Sequence, residues 1–464
     1  MMGMTWIFVV VGVLASTTSA VPYPGDFLPT PKSYSGYSLL RTEPLLREDL
    51  ARSLLILDGM RGIHFWKYPL VNRSSDILTS PAQLEHIQAL LATLGVSHDV
   101  IIDDVKDLLA KENDVGVNGY SALEEELERA VPDKSFFQRY QRYEAIKNYA
   151  KTLASQDSRV TYENIGSSSE GKEIGLVKIS SGGGNKPAIW IDGGMHAREW
   201  ISPATATYIM SKLTNKEPAS ESLLSSFDFY IVPIINVDGY EWTHTGDRMW
   251  RKTRSRNNGR CIGVDPNRNW GFHWAEQGSS TDPCSDIYHG PRAFSEPETL
   301  SVARAIKARP NIKLYLTFHS YSQLWLVPYG YARNTRPVDY NELVRLAQVG
   351  KNALSATYGT SYRLGTAPDL LYPAAGGSDD WAKGSAGIKY AYCLELRDTG
   401  RYGFLLPSNQ IVPTGEETFN GLAAMAKELH RTLKKQQTRP VGGPYVNADK
   451  ELNSPSGGEA EYKL

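Results

Sequence analysis

Apolar runs and their spacing divide the chain into two patterned stretches. In the first, residues 53–57 and 63–67 read as strands and residues 81–94 as an amphipathic helix. Residues 98–102 then read as a strand feeding a helix over 105–111. This alternation over residues 47–113 suits a small α/β sandwich of ferredoxin-like type. Residues 112–134, rich in Asn, Gly and Glu with few apolar anchors, read as an exposed linker carrying Arg129 and Lys134 as basic sites.

The second stretch begins near Phe136. Helical periods at 143–153, 204–213, 296–308, 341–358 and 418–433 alternate with strand-like runs at 175–179, 188–191, 227–235, 313–318 and 388–396. That pattern predicts an α/β fold with a mixed, mostly parallel sheet and helices on both faces. Residues 434–464 are polar, contain Pro, Gly and Ser, and have no apolar period, so disorder is expected there.

A length of 464 residues leaves room for one large domain and a smaller one. A net charge of −1 gives no electrostatic reason to expect nucleic acid or an anionic membrane as partner. Residues 5–15 form an apolar core, and small polar residues follow to Ser19-Ala20. The pattern is that of a secretory signal peptide cleaved near residue 20, although Lys and Arg are missing ahead of the core. The run is shorter than the ~20 residues a membrane helix needs. The reading is a secreted protein.

Three cysteines suit that compartment. Cys261 and Cys284 are nearest in sequence and lie in polar surroundings, so they are the expected pair; Cys393, in a strand-like run, reads as a buried apolar residue. Asn72-Arg73-Ser74 is an acceptor sequence for N-glycosylation.

The candidate chemistry starts at Gly193-Gly194-Met195-His196-Ala197-Arg198-Glu199-Trp200, a turn between the 188–191 strand and the following helix. His196 and Glu199, three apart, can share one cation at ~2 Å. A histidine satisfied beside a helix-capping glutamate is the simpler reading of this pair alone. A second such pair, His273 and Glu276, follows no strand and reads as surface loop. His319 ends the 313–318 strand, and strand ends of an open sheet share one rim. Two histidines and one glutamate with an open fourth position describe a catalytic zinc set. Glu395 ends a third strand, where it either pairs with Arg397 on the same face or acts as a general base. Two basic loops, 250–254 and 265–270, offer guanidinium groups suited to a carboxylate or a developing oxyanion.

Seven motifs now stand in order: HAREW (196–200), MWRKTRS (249–255), GVDPNRNW (263–270), CSDIYHG (284–290), FHSYSQ (318–323), YPAAGGSDDW (372–381) and ELRDTGRYGFLLP (395–407). From 136 to about 432 the chain resembles the zinc metallocarboxypeptidases of the digestive A/B family, and residues 47–113 resemble that family's activation segment. The resemblance implies one zinc held by His196, Glu199 and His319, with Glu395 deprotonating the attacking water and Arg254 stabilising the oxyanion. Asn267, Arg268 and Tyr372 would clamp the substrate's terminal carboxylate, and Arg198 and Tyr321 would line neighbouring subsites.

Asp379 matches the base of the side-chain pocket, which favours B-type preference for C-terminal Lys or Arg; a one-residue slip would exchange it with Asp380. Ala367 and Gly330 leave room for a long side chain. Together these expectations describe a signal peptide (1–20), a propeptide (21–134), a catalytic domain (135–433) and a tail (434–464). The zymogen would be a secreted monomer, cut by a trypsin-like protease at the linker. A-type specificity and a non-catalytic peptide-binding protein are the alternatives.

Overall fold

A computed structural model describes residues 30–112, 134–184, 186–256 and 261–437. The signal-like segment, Arg129 and the tail from 438 lie outside the described residues; Lys134 opens a short 3₁₀ turn, Lys134–Gln138.

The first unit is a four-stranded antiparallel sheet of β1 (Ser38–Thr42), β2 (Ile63–Lys67), β3 (Asp76–Thr79) and β4 (His98–Ile102), ordered β2-β3-β1-β4. Its helices are α1 (Glu48–Leu55) and α2 (Pro81–Thr93), followed by α3 (Val105–Glu112). The chain order β1-α1-β2-β3-α2-β4 with that strand order is the ferredoxin-like arrangement. Two expectations fail here. Residues 53–57 are not a strand: most of them close α1, whose first turn carries Glu48 and Asp49 against the helix dipole and whose buried face is Ala51 and Leu54. A five-residue apolar run cannot by itself separate helix from strand. The unit also begins earlier than residue 47, because β1 supplies a central strand of its sheet.

The second unit is built on an eight-stranded sheet of β5 (Val160–Ser167), β6 (Glu173–Ile179), β7 (Ala188–Asp192), β8 (Asp228–Val232), β9 (Ile312–Ser320), β10 (Leu324–Leu326), β11 (Arg363–Gly365) and β12 (Tyr390–Leu396). Its order is β11-β10-β12-β9-β7-β8-β6-β5. The central four, β12-β9-β7-β8, are parallel to one another, and antiparallel pairings flank them. Every residue of β7 and β8 is buried, so both faces of the sheet are covered.

The helices are α4 (Tyr143–Gln156), α5 (Ile201–Thr214), α6 (Pro218–Ser226), α7 (Val237–Thr245), α8 (Pro297–Lys307), α9 (Tyr340–Tyr358), α10 (Ala367–Leu370), α11 (Ser378–Gly384) and α12 (Ile411–Gln437). Helices α5, α9 and α12 pack into one layer, and α11 lies against β12 and β9. Cys261 and Cys284 form the disulfide, and Cys393 is a buried free thiol.

Candidate active site

The parallel strands β7, β9 and β12 deliver their carboxyl ends to one rim. Asp192 pairs with Thr317, which puts His319 two residues beyond the end of β7, and Glu395 stands directly beside His319 in register. The 193–200 turn closes over that end. Gly194 has φ +61°, and a Cβ on Gly193 would lie 2.9 Å from Ser202 Oγ and 3.0 Å from the Ser202 carbonyl, so only glycine lets the turn fold onto α5.

His196, Glu199 and His319 meet there, all buried, with one ligand atom of each within 4.8 Å of the others. Glu199 Oε1 lies 2.7 Å from His196 Nδ1, Glu199 Oε2 lies 2.9 Å from His319 Nδ1, and the two Nδ1 atoms are 3.1 Å apart. Burial would raise Glu199, but His196 and His319 outweigh it and hold the carboxyl well below its ordinary range. Burial and Arg251 push His196 down, whereas Glu199 draws His319 up against its burial. Three buried donors converging on one point, two imidazoles and one carboxylate, fit a dication such as zinc. The other nitrogen of His196, Nε2, meets Asp265 Oδ1 at 3.0 Å, and the Ser320 N–H donates to Glu199 Oε2 at 3.2 Å. Such outer partners fix ligand orientation. The second pair, His273 and Glu276, meets at 2.8 Å in a surface loop away from this site, with the His273 ring stacked on Tyr331.

Glu395 lines the same cavity as His196 and Glu199, a space of about 370 Å³. Burial first, and then Glu199, push its carboxyl up to about 8. Arg397 does not pair with it; its guanidinium is bound to Glu417, Gln410 and Thr360.

The structure does not bring the arginine expected at the oxyanion into the site. Arg254 lies outside the cavity, its guanidinium over the rings of Trp242 and Trp250 at 4.1 and 4.5 Å. Arg251 lines the cavity instead. The reason is backbone pairing: the Arg251 carbonyl accepts from the Ala197 N–H at 3.0 Å, inside the metal-binding turn, while Thr253 and Ser255 pair with Val264 and Gly263. Arg251 donates from Nε and Nη2 to Asp265 Oδ2 at 3.1 and 2.8 Å, and its Nη1 stands 3.8 Å from Glu199 Oε1. Asp265 thus holds both a metal ligand and this arginine. Burial would raise Asp265, but Arg251, His196 and Arg268 keep it well below the usual carboxylate range. Sequence reasoning missed Asp265 and the position of Arg251, although both fall inside the quoted motifs.

Asn267, Arg268, Tyr372 and Asp379 also line the cavity. Arg268 is aimed by donating to the carbonyls of Gly278 at 2.7 Å and Asn267 at 2.8 Å, and lies 5.9 Å from the Tyr372 ring. Asp380 is a structural residue: it accepts the N–H groups of Gly330 and Tyr331 at 2.8–2.9 Å. Asp379 faces the cavity beside Leu326, Gly330 and Cys393, and burial pushes its carboxyl up.

The first unit roofs this space. Trp66, Lys67, Tyr68, Leu70, Arg73 and Ser74 line the cavity from above. Arg198 Nη2 donates to the Phe65 carbonyl at 3.2 Å, and the Tyr321 hydroxyl donates to Asp76 Oδ2 at 3.0 Å. Both residues expected to line subsites are therefore engaged by the amino-terminal unit.

Residues 146–421 match the zinc carboxypeptidase family, and residues 50–112 match the carboxypeptidase activation peptide. The chain belongs to the zinc carboxypeptidase family. It is 51% identical over 297 residues to the carboxypeptidase B of Astacus astacus, covering 63% of this chain and 98% of that protein. Identity to the carboxypeptidase A2 of Mus musculus is 40% over 390 residues, 82% of this chain and 91% of that one. The crystal structure of thrombin activatable fibrinolysis inhibitor superposes with a TM-score of 0.77 at 32% identity, covering 86% of this chain and all of that one. The chain is thus a zinc carboxypeptidase joined to its activation peptide, and relatives of both A and B type resemble it.

Proposed function

We propose that this zinc carboxypeptidase is secreted as a monomeric zymogen, is cut by a trypsin-like protease in the linker that carries Arg129 and Lys134, and then removes C-terminal Lys or Arg. One observation carries the specificity: Asp379 faces the cavity with no Lys or Arg paired to it among the described residues, while Asp380 is occupied by backbone N–H groups. A guest guanidinium or ammonium would supply the missing partner, whereas an apolar guest would leave a desolvated carboxylate.

Asn267, Arg268 and Tyr372 hold the substrate's terminal carboxylate, which restricts cleavage to the last peptide bond. His196, Glu199 and His319 would hold the zinc, which would supply Lewis acidity for the scissile carbonyl and for the attacking water. Glu395 takes the proton of the attacking water and passes it to the leaving amine. Arg251, fixed by Asp265, meets the charge that forms on the carbonyl oxygen. A-type specificity is the second reading, favoured by the apolar pocket walls Leu326 and Cys393.

The deciding experiment compares hydrolysis of matched peptides ending in Arg and Phe by the trypsin-treated chain. Faster release of arginine supports the B-type reading; faster release of phenylalanine overturns it.

A further inference from the structure

Asn72-Arg73-Ser74 is the sole Asn-x-Ser/Thr sequence in the chain, with an x other than Pro. It lies in the loop between β2 and β3, and its backbone is pinned on both sides. Val71 bridges Leu45, the Asn72 N–H donates to the Leu45 carbonyl at 2.6 Å, and the Leu45 N–H donates to the Arg73 carbonyl at 3.0 Å. Asn72 itself is exposed, with φ 61°, a left-handed conformation that asparagine tolerates better than most residues. Beyond it, Arg73 donates to the Asp369 carbonyl at 2.5 Å, and Arg73 and Ser74 line the active-site cavity. The acceptor side chain thus points to solvent from the loop that joins the activation peptide to the edge of the cleft.

We propose that Asn72 carries an N-linked oligosaccharide, so that the activation peptide is glycosylated and the catalytic unit is not. This rests on the reading that the chain is secreted. The donor is a lipid-diphosphate-linked oligosaccharide. A bond forms between Asn72 Nδ2 and the anomeric carbon, the bond from that carbon to the diphosphate oxygen breaks, the lipid diphosphate leaves with the electron pair, and the amide gives up one proton. The glycan is a large, hydrated group at the rim of the cleft. Cleavage in the linker discards it together with the activation peptide, so the zymogen bears the sugar and the mature enzyme does not.

The test uses the full chain expressed in a secreting eukaryotic cell and recovered from the medium. Mass is measured with and without peptide N-glycosidase, before and after trypsin. The expected result is a mass loss in the intact chain and in the activation fragment, and none in the catalytic fragment. Asn72→Gln and Ser74→Ala should each abolish it. A secreted chain with no mass loss, a loss located in the catalytic fragment, or a loss surviving both variants would overturn the proposal. A chain retained inside the cell defeats the secretion reading instead; its sensitivity to the glycosidase then upholds the glycan, and insensitivity rejects it.

Discussion

Glu112, the last residue of α3, holds Arg248 of the catalytic unit in a two-pronged ion pair that is 2% and 7% exposed at its two ends. Its carboxylate oxygens lie 3.1 and 2.9 Å from Arg248 Nε, and Arg248 also donates to the carbonyls of Arg198 and Phe404 while stacking on Trp200. Removing one partner of a buried pair typically costs about 3–5 kcal/mol. Glu112→Gln should therefore release the activation peptide faster after cleavage in the linker, read as quicker appearance of activity at equal extents of cutting.

Glu395→Gln keeps the shape of the base and removes its basicity. Hydrolysis should fall by about 10²–10⁴-fold with zinc content unchanged. A variant that keeps wild-type kcat would show that another group takes the proton.

The two arginines separate cleanly. Arg251→Gln should lower kcat by about 10²–10³-fold, and Arg254→Gln should leave kcat within a few-fold while losing about 0.5–2 kcal/mol of stability from its contacts with Trp242 and Trp250. Equal kinetic losses in both variants would contradict the placement of Arg254 outside the cleft.

Asp379→Leu should reverse preference. A charge-assisted bond is worth about 1.5–3 kcal/mol, so kcat/KM for a C-terminal Arg should drop at least tenfold while that for Phe rises. Chelation with 1,10-phenanthroline should abolish hydrolysis and lower the melting temperature, and added zinc should restore both, because a bound ligand adds about 2.7 kcal/mol at 100-fold its dissociation constant.

The rim of the sheet was legible because β7, β9 and β12 are long apolar runs, each leading to an unusual polar residue: His196 just past the end of β7, His319 near the end of β9, Glu395 within β12. β5 escaped notice because it is the sheet edge, half exposed, and so lacks an apolar run. β10 and β11, at three residues each, are too short to carry a period. Arg251 and Arg254 look alike in a loop; only the Ala197–Arg251 backbone pairing separates them. Asp379 and Asp380, adjacent in sequence, were distinguished by the Gly330 and Tyr331 N–H groups, which come from the loop after β10. The contacts of Glu112, Asp76 and Phe65 with the catalytic unit depend on how two folded bodies dock, and no local pattern encodes that.

Asp265 bridges His196 and Arg251 with its two oxygens, one to each. On the proposed mechanism, capture of the ion and neutralisation of the charge that builds up during bond cleavage share a single anchor, so the two capacities should stand or fall as one heritable unit. A lineage that loses this carboxylate would not keep half an enzyme.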